Sequence, residues 1–105
     1  MKILENVFTQ ADSDVLVDTA QAKIEQIKLS EDLCMSTITI HGMQEYTFTT
    51  RSGILTTQVG SGTITSGSEQ TDLNLFNKIA LNRGERITIN NPQAIPLILN
   101  LISAN

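Results

Sequence analysis

Apolar and polar residues alternate along most of this chain. In Met35-Ser36-Thr37-Ile38-Thr39-Ile40-His41, Ile38 and Ile40 fall on one face and Thr37, Thr39 and His41 on the other. Tyr46-Thr47-Phe48-Thr49 and Arg86-Ile87-Thr88-Ile89-Asn90 repeat the pattern. A period of two places one face on a core and the other in solvent, which is the signature of a half-buried strand. Turn residues punctuate the runs: His41-Gly42-Met43, Thr50-Arg51-Ser52-Gly53, Gly60-Ser61-Gly62 and Asn82-Arg83-Gly84. The Thr50–Gly53 stretch reads as a three-residue hairpin loop with glycine in the left-handed region. Ser66–Asp72 reads as a polar loop, and Val15-Leu16-Val17 as a short buried strand. Regular turns between short strands predict an all-β fold: an antiparallel β-sandwich, jelly-roll-like or Ig-like, of about seven or eight strands.

Two segments qualify this picture. Asp18-Thr19-Ala20-Gln21 has the form of a helix capping box, followed by Ala22-Lys23-Ile24-Glu25-Gln26-Ile27-Lys28 with Ile24 and Ile27 at helical spacing. The competing strand reading turns Ala22 and Ile24 inward, then Ile27 and Leu29, with a bulge near Glu25-Gln26. The uniformly β flanks favour the strand. At the other end, Leu97, Leu99 and Leu101 alternate with Ile98, Asn100 and Ile102, so both faces of the last strand are largely apolar. Pro96 confines that strand to an edge or to a start at this point. Either one chain buries both faces or a second chain covers one. This places a candidate subunit interface at Leu97, Ile98, Leu99, Leu101 and Ile102, joined by Ile3, Leu4, Val7 and Phe8 of the N-terminal segment. Residues 1–14 read as an arm and residues 15–105 as a single sandwich domain.

Composition narrows the function. The 105 residues carry 13 threonines and 13 isoleucines, and aromatics are only 4%. β-Branched residues suit a pleated surface. A net charge of −4 with seven scattered basic residues argues against nucleic acid, which needs clustered Lys and Arg. The longest apolar stretch, Ala94–Ile102, is broken by Pro96 and Asn100, and falls short of the roughly 20 residues of a membrane helix. One cysteine, Cys34, precludes an internal disulfide and fits a reducing cytoplasm. Between Thr47 and Ser68 the sole charge is Arg51, so this region lacks the usual guards against edge pairing.

No motif fixes a reaction. A serine triad needs a histidine base, and His41 alone is available, on a polar strand face. Asp12-Ser13-Asp14 starts like a calcium loop but has Val17 where the turn needs glycine. Gly60-Ser61-Gly62 lacks the Lys-Ser/Thr of a phosphate loop. Glu85 has no second carboxylate for acid–base work. Phe8, Tyr46, Phe48 and Phe76 make a weak stacking platform without tryptophan. The expectation is a non-enzymatic protein with no cofactor and no metal.

The order of the pieces resembles small β-sandwich modules of tailed-phage virions, of the capsid-decoration, neck or tail-associated type. The likeness covers roughly Val15 to Ile102. It is carried by Val15-Leu16-Val17-Asp18, Ala22–Leu29, Ser36–Ile40 and the run Leu75–Ile89. Within that run, Leu81-Asn82-Arg83-Gly84-Glu85-Arg86-Ile87-Thr88-Ile89 stands where those modules have Leu-x-x-Gly-Asp-x-Ile-x-Val. The resemblance implies a structural subunit of a phage virion, most simply a head-associated decoration protein. It would be a homo-oligomer attached to a major capsid or tail protein, and located in the virion after synthesis in the host cytoplasm. The alternative is a carbohydrate or host-surface binding module using the loops at Arg51–Gly53, Gly60–Gly62 and Ser66–Asp72.

Overall fold

The computed structural model describes residues 14–104. These form ten strands and no helix: β1 (Asp14–Asp18), β2 (Ala22–Lys28), β3 (Leu33–Ile40), β4 (Glu45–Thr49), β5 (Gly53–Val59), β6 (Gly62–Ser66), β7 (Glu69–Leu73), β8 (Lys78–Leu81), β9 (Arg86–Asn90) and β10 (Leu97–Ala104). They build two antiparallel sheets, one in the order β1-β2-β3-β10-β5-β8 and the other β4-β9-β6-β7. Only β1–β2, β2–β3 and β6–β7 are hairpins between paired neighbours. Every other connection crosses from one sheet to the other. The all-β sandwich expected from the alternation is therefore present, in its jelly-roll form.

Alternation sets the core. Ile38 and Ile40 of β3, Leu97, Leu99 and Leu101 of β10, and Leu55 of β5 turn inward. They meet Ile64, Leu73, Ile87 and Ile89 from the second sheet. Tyr46 and Phe48 of β4 pack against this cluster, with their rings stacked at 5.8 Å.

The structure settles the competition at residues 19–28 for strand. Thr19 Oγ1 accepts bonds from the backbone N–H groups of Gln21 (3.2 Å) and Ala22 (3.1 Å). The hydroxyl that mimics a helix cap closes the β1–β2 turn instead, because the same short side chain satisfies the first N–H groups of either motif. The expected bulge at Glu25-Gln26 is absent, since β2 runs in unbroken register with β3. The register shift lies in β1, between Val15 and Val17. Gln26 consequently stays in phase with Ala22 and Ile24, while Ile27 falls beside Met35 on the other face.

Three further expectations change. Val15 (47%) and Leu16 (55%) are exposed, because β1 is an edge strand rather than a buried one. Glu69–Leu73 is strand β7, not loop; its polar residues face solvent at the sheet edge. The Thr50–Gly53 loop is no hairpin, because β4 and β5 belong to different sheets. Its glycine is needed for close approach: a Cβ on Gly53 would run into the Ile102 carbonyl oxygen.

Candidate functional site

The inward register positions change character along three adjacent strands. β2 presents Ala22, Ile24 and then Gln26. β3 presents Ile40, Ile38 and then Ser36 and Cys34. β10 presents Leu97, Leu99, Leu101 and then Ser103. The pairings Gln26↔Ser36, Leu101↔Ser36 and Ser103↔Cys34 put the polar members together at one end of the sandwich. Gln26 Nε2 donates to Ser36 Oγ (3.3 Å) and to Cys34 Sγ (3.2 Å), and Cys34 Sγ lies 3.3 Å from Ser103 Oγ. Buried polar groups persist where they satisfy one another, as these do.

Beside this strip is a cavity of about 180 Å³ between the sheets. Its apolar walls include Val17, Ile24, Ile38, Phe48 and Leu101; Gln26, Ser36 and Ser103 supply the polar wall. Thr49, Thr50 and Arg51 stand at its mouth and continue into an outer recess of about 490 Å³ bounded by Ser52, Arg83, Gly84 and Ala104. Mouths of β-barrels are a preferred place for small-molecule sites, and a mostly apolar wall with a few polar groups is their usual make-up.

Two loops form the mouth, and hydrogen bonds stitch them together. Thr50 N–H donates to the Glu85 carbonyl (2.8 Å), Gly84 N–H to the Thr50 carbonyl (2.9 Å), and Arg83 N–H to Ser52 Oγ (3.2 Å). Gly84 adopts φ +85°, where a side chain would be strained. Glu85 braces this turn: its carboxylate accepts from Asn82 N–H (2.6 Å) and from Ser66 Oγ (2.8 Å). Those bonds, Asn82 first and Ser66 second, hold the Glu85 carboxyl below the ordinary carboxylate value. A depressed folded-state value stabilises the fold above the unfolded-state value, and that gain is lost as pH falls through the folded one. Glu85→Gln is therefore expected to melt below the parent at neutral pH. The gap should close as pH drops below about 4, the ordinary carboxylate range. Melting temperatures of both proteins across pH check this, and a gap that ignores pH would assign the loss to something other than the carboxylate.

The donor set does not fit a resident transition metal, which needs several imidazole, thiolate or carboxylate ligands on one centre. Among the described residues no three of His, Cys, Asp and Glu come together, and none of these side chains lines the cavity. His41 and Cys34 sit at opposite ends of β3, so no nucleophile–base pair forms between them.

The candidate interface residues divide. Leu97, Leu99 and Leu101 are at most 5% exposed and belong to the core of this single chain, which corrects their assignment to a subunit contact. The alternation of β10 sends them inward, and β10 is a central strand with β3 and β5 on either side. Ile98 and Ile102 face outward, half-buried and exposed respectively. Ile3, Leu4, Val7 and Phe8 lie outside the described residues. The three loops named for a surface-binding module do not converge either. Arg51–Gly53 and Ser66–Ser68 are at the arginine-bearing end, whereas Gly60–Gly62 is at the other end beside Gln93. The polar inward positions Gln26, Ser36 and Ser103, and Arg83 at the rim, were not singled out from sequence. The interrupted apolar phase at the ends of β2, β3 and β10 was the available signal.

The two sheets and the connections that cross between them form a jelly-roll barrel, a fold this chain shares with solved double-stranded β-helix proteins. The chain matches an RmlC-like cupin from Shewanella frigidimarina over 91% of its own length and 86% of that protein's, with a TM-score of 0.71 at 12% identity. It matches an RmlC-like cupin family protein with a double-stranded β-helix fold from Methanocaldococcus jannaschii over 88% and 87%, with a TM-score of 0.67 at 16% identity. AerE from Microcystis aeruginosa superposes on 89% of this chain with a TM-score of 0.76 at 9% identity; the match spans 46% of AerE. No protein-family model and no curated protein sequence matches. Identities this low show the fold alone.

These likenesses overturn the phage-virion resemblance, and with it the structural-subunit and capsid-decoration roles. The neighbours named by fold are RmlC-like cupins and double-stranded β-helix proteins, not virion modules. The Leu81–Ile89 run misled for a physical reason. A glycine turn with an acidic residue bonding back to the N–H three residues earlier caps the start of a strand in any sandwich. It records the geometry of Gly84 and Glu85, not an ancestry.

Proposed function

We propose that the chain is a small-molecule-binding barrel of cupin type, whose ligand inserts a compact apolar body into the cavity between the sheets. The observation that carries this reading is the cavity itself: apolar on most sides, polar along Gln26, Ser36 and Ser103, and open at Thr49–Arg51. An engineered apolar cavity of about 150 Å³ accommodates benzene, so a body of about six to eight heavy atoms fits here. The cupin fold of the neighbours supports a barrel-mouth site without naming a ligand. Binding rather than turnover is the reading the walls favour. Their side chains provide hydrogen bonds and apolar contact, and the titratable group at the rim is an arginine, which does not exchange protons near neutrality.

Benzyl alcohol is a suitable probe. Eight heavy atoms at about 0.5 kcal/mol each give a Kd of about 1 mM. Methyl NMR of the full chain is expected to show saturable shifts at Ile24, Ile38 and Leu101. Leu73 and Ile64, on the β6–β7 side, should stay still. Shifts spread evenly over the surface, or none near saturation, would defeat the proposal.

A further inference from the structure

All three arginines of the sequence, Arg51, Arg83 and Arg86, lie at the same end of the sandwich although they come from separate stretches of chain. None of their guanidinium groups makes a hydrogen bond or ion pair among the described residues; the ion pair formed there is Lys23–Glu25, on β2. Arg51 lines both the inner cavity and the outer recess, and Arg83 lines the recess. Neither space is lined by a carboxylate. Glu85, the acid next to Gly84 at the rim, is bonded to Asn82 and Ser66. The inter-loop hydrogen bonds described above hold the backbones of Arg51 and Arg83 around one recess, which both residues line. A protein of net charge −4 that keeps two unpaired arginines around one opening has a local preference opposite to its global charge.

We infer that Arg51 and Arg83 form an anion seat at the mouth of the cavity, and that the ligand class is a small monocarboxylate with a compact apolar body. This inference rests on the binding reading above and adds its polarity. The apolar body occupies the inner cavity, and the carboxylate lies in the recess, where a guanidinium fork meets two carboxylate oxygens in one plane. Thr49 and Ser52 line the same recess and their hydroxyls can donate to an anion, whereas Thr50 Oγ1 already donates to the Arg51 carbonyl (2.9 Å).

The test compares three probes on the full chain by NMR titration at low salt: benzoate, its neutral counterpart benzyl alcohol, and acetate, which has the charge without the body. Benzoate is expected to bind about tenfold more tightly than either of the others, the scale of a partly solvated charge-assisted pair. Arg51→Gln should bring benzoate down to the affinity that the parent protein shows for benzyl alcohol, and unchanged methyl shifts of the free variant at Ile64 and Leu73 show that it is folded. Arg83→Gln should weaken benzoate about threefold by the same logic of a shared seat. Arg86→Gln, outside both spaces, should leave all three probes as they are. Equal binding of benzoate and benzyl alcohol, or an Arg51→Gln variant with undiminished benzoate affinity, would remove the anion seat and leave the cavity reading standing. Acetate binding as tightly as benzoate would show arginines acting without the cavity, and would also overturn the inference. Failure of all three probes would end both readings.

Discussion

Asn91→Ala is expected to lower the stability of the fold by about 3 kcal/mol. Asn91 is fully buried at the end of β9. Its Nδ2 donates to the carbonyls of Ile40 (3.0 Å), His41 (3.2 Å) and Ile95 (2.8 Å), while its Oδ1 accepts from Gln93 N–H (3.0 Å). One amide thereby joins the end of β3 to the β9–β10 connection, at the end of the barrel opposite the cavity. Alanine would strand several buried groups at once, and each stranded group costs about 1–3 kcal/mol unless water reaches it. Asn91→Asp should be worse near neutral pH, because it replaces a donor with an oxygen facing carbonyl oxygens. Urea unfolding measures both, read as a fall in midpoint at constant slope. A loss below about 1 kcal/mol would mean that the carbonyls recruit solvent and the latch is not structural.

Leu99→Ala is expected to cost about 2–5 kcal/mol, whereas Ile102→Ala on the same strand should cost less than about 1 kcal/mol. Leu99 is wholly buried and has β3 and β5 on either side of it, at Ile38 and Thr57. Removing three carbons there leaves a void that the flanking strands cannot close, since both are held in ladder. Ile102 is 44% exposed on the outer face, so its truncation removes little buried area. The same urea series reads both. Similar losses at the two positions would show that the outer face of β10 is covered as thoroughly as the inner one. That outcome would return Ile98 and Ile102 to consideration as contacts with another chain.

Much of the architecture was legible in the alternation. Strands β3, β4 and β9 were each readable from period two, because one buried face on a regular pleat leaves that trace. β7 and β8 were not. Edge positions relax the demand for apolar residues, and Glu69–Asp72 is exposed throughout. The pairing of strands was not legible. The Thr50–Gly53 loop shows why: its turn residues suit a hairpin and a sheet crossing alike, and what decides is which partner strand has a free edge. The site was the least legible part. Gln26, Ser36 and Ser103 are unremarkable one at a time, since a single polar residue in an inward phase is usually a strand end. Arg51 was visible as a solitary charge, but Arg83 lies 32 residues away and reaches the same opening only through the stitching of two loops.

The sequence by itself determined the β class and the inward and outward faces of β3, β4 and β9. These are properties of spacing, and spacing is written along the chain. The tertiary structure alone decided the jelly-roll connectivity, the cavity and the gathering of Arg51 with Arg83. Each depends on bringing together segments far apart in the chain, and the free energy that does so is spread over the buried isoleucine and leucine contacts of two sheets rather than held in any one stretch.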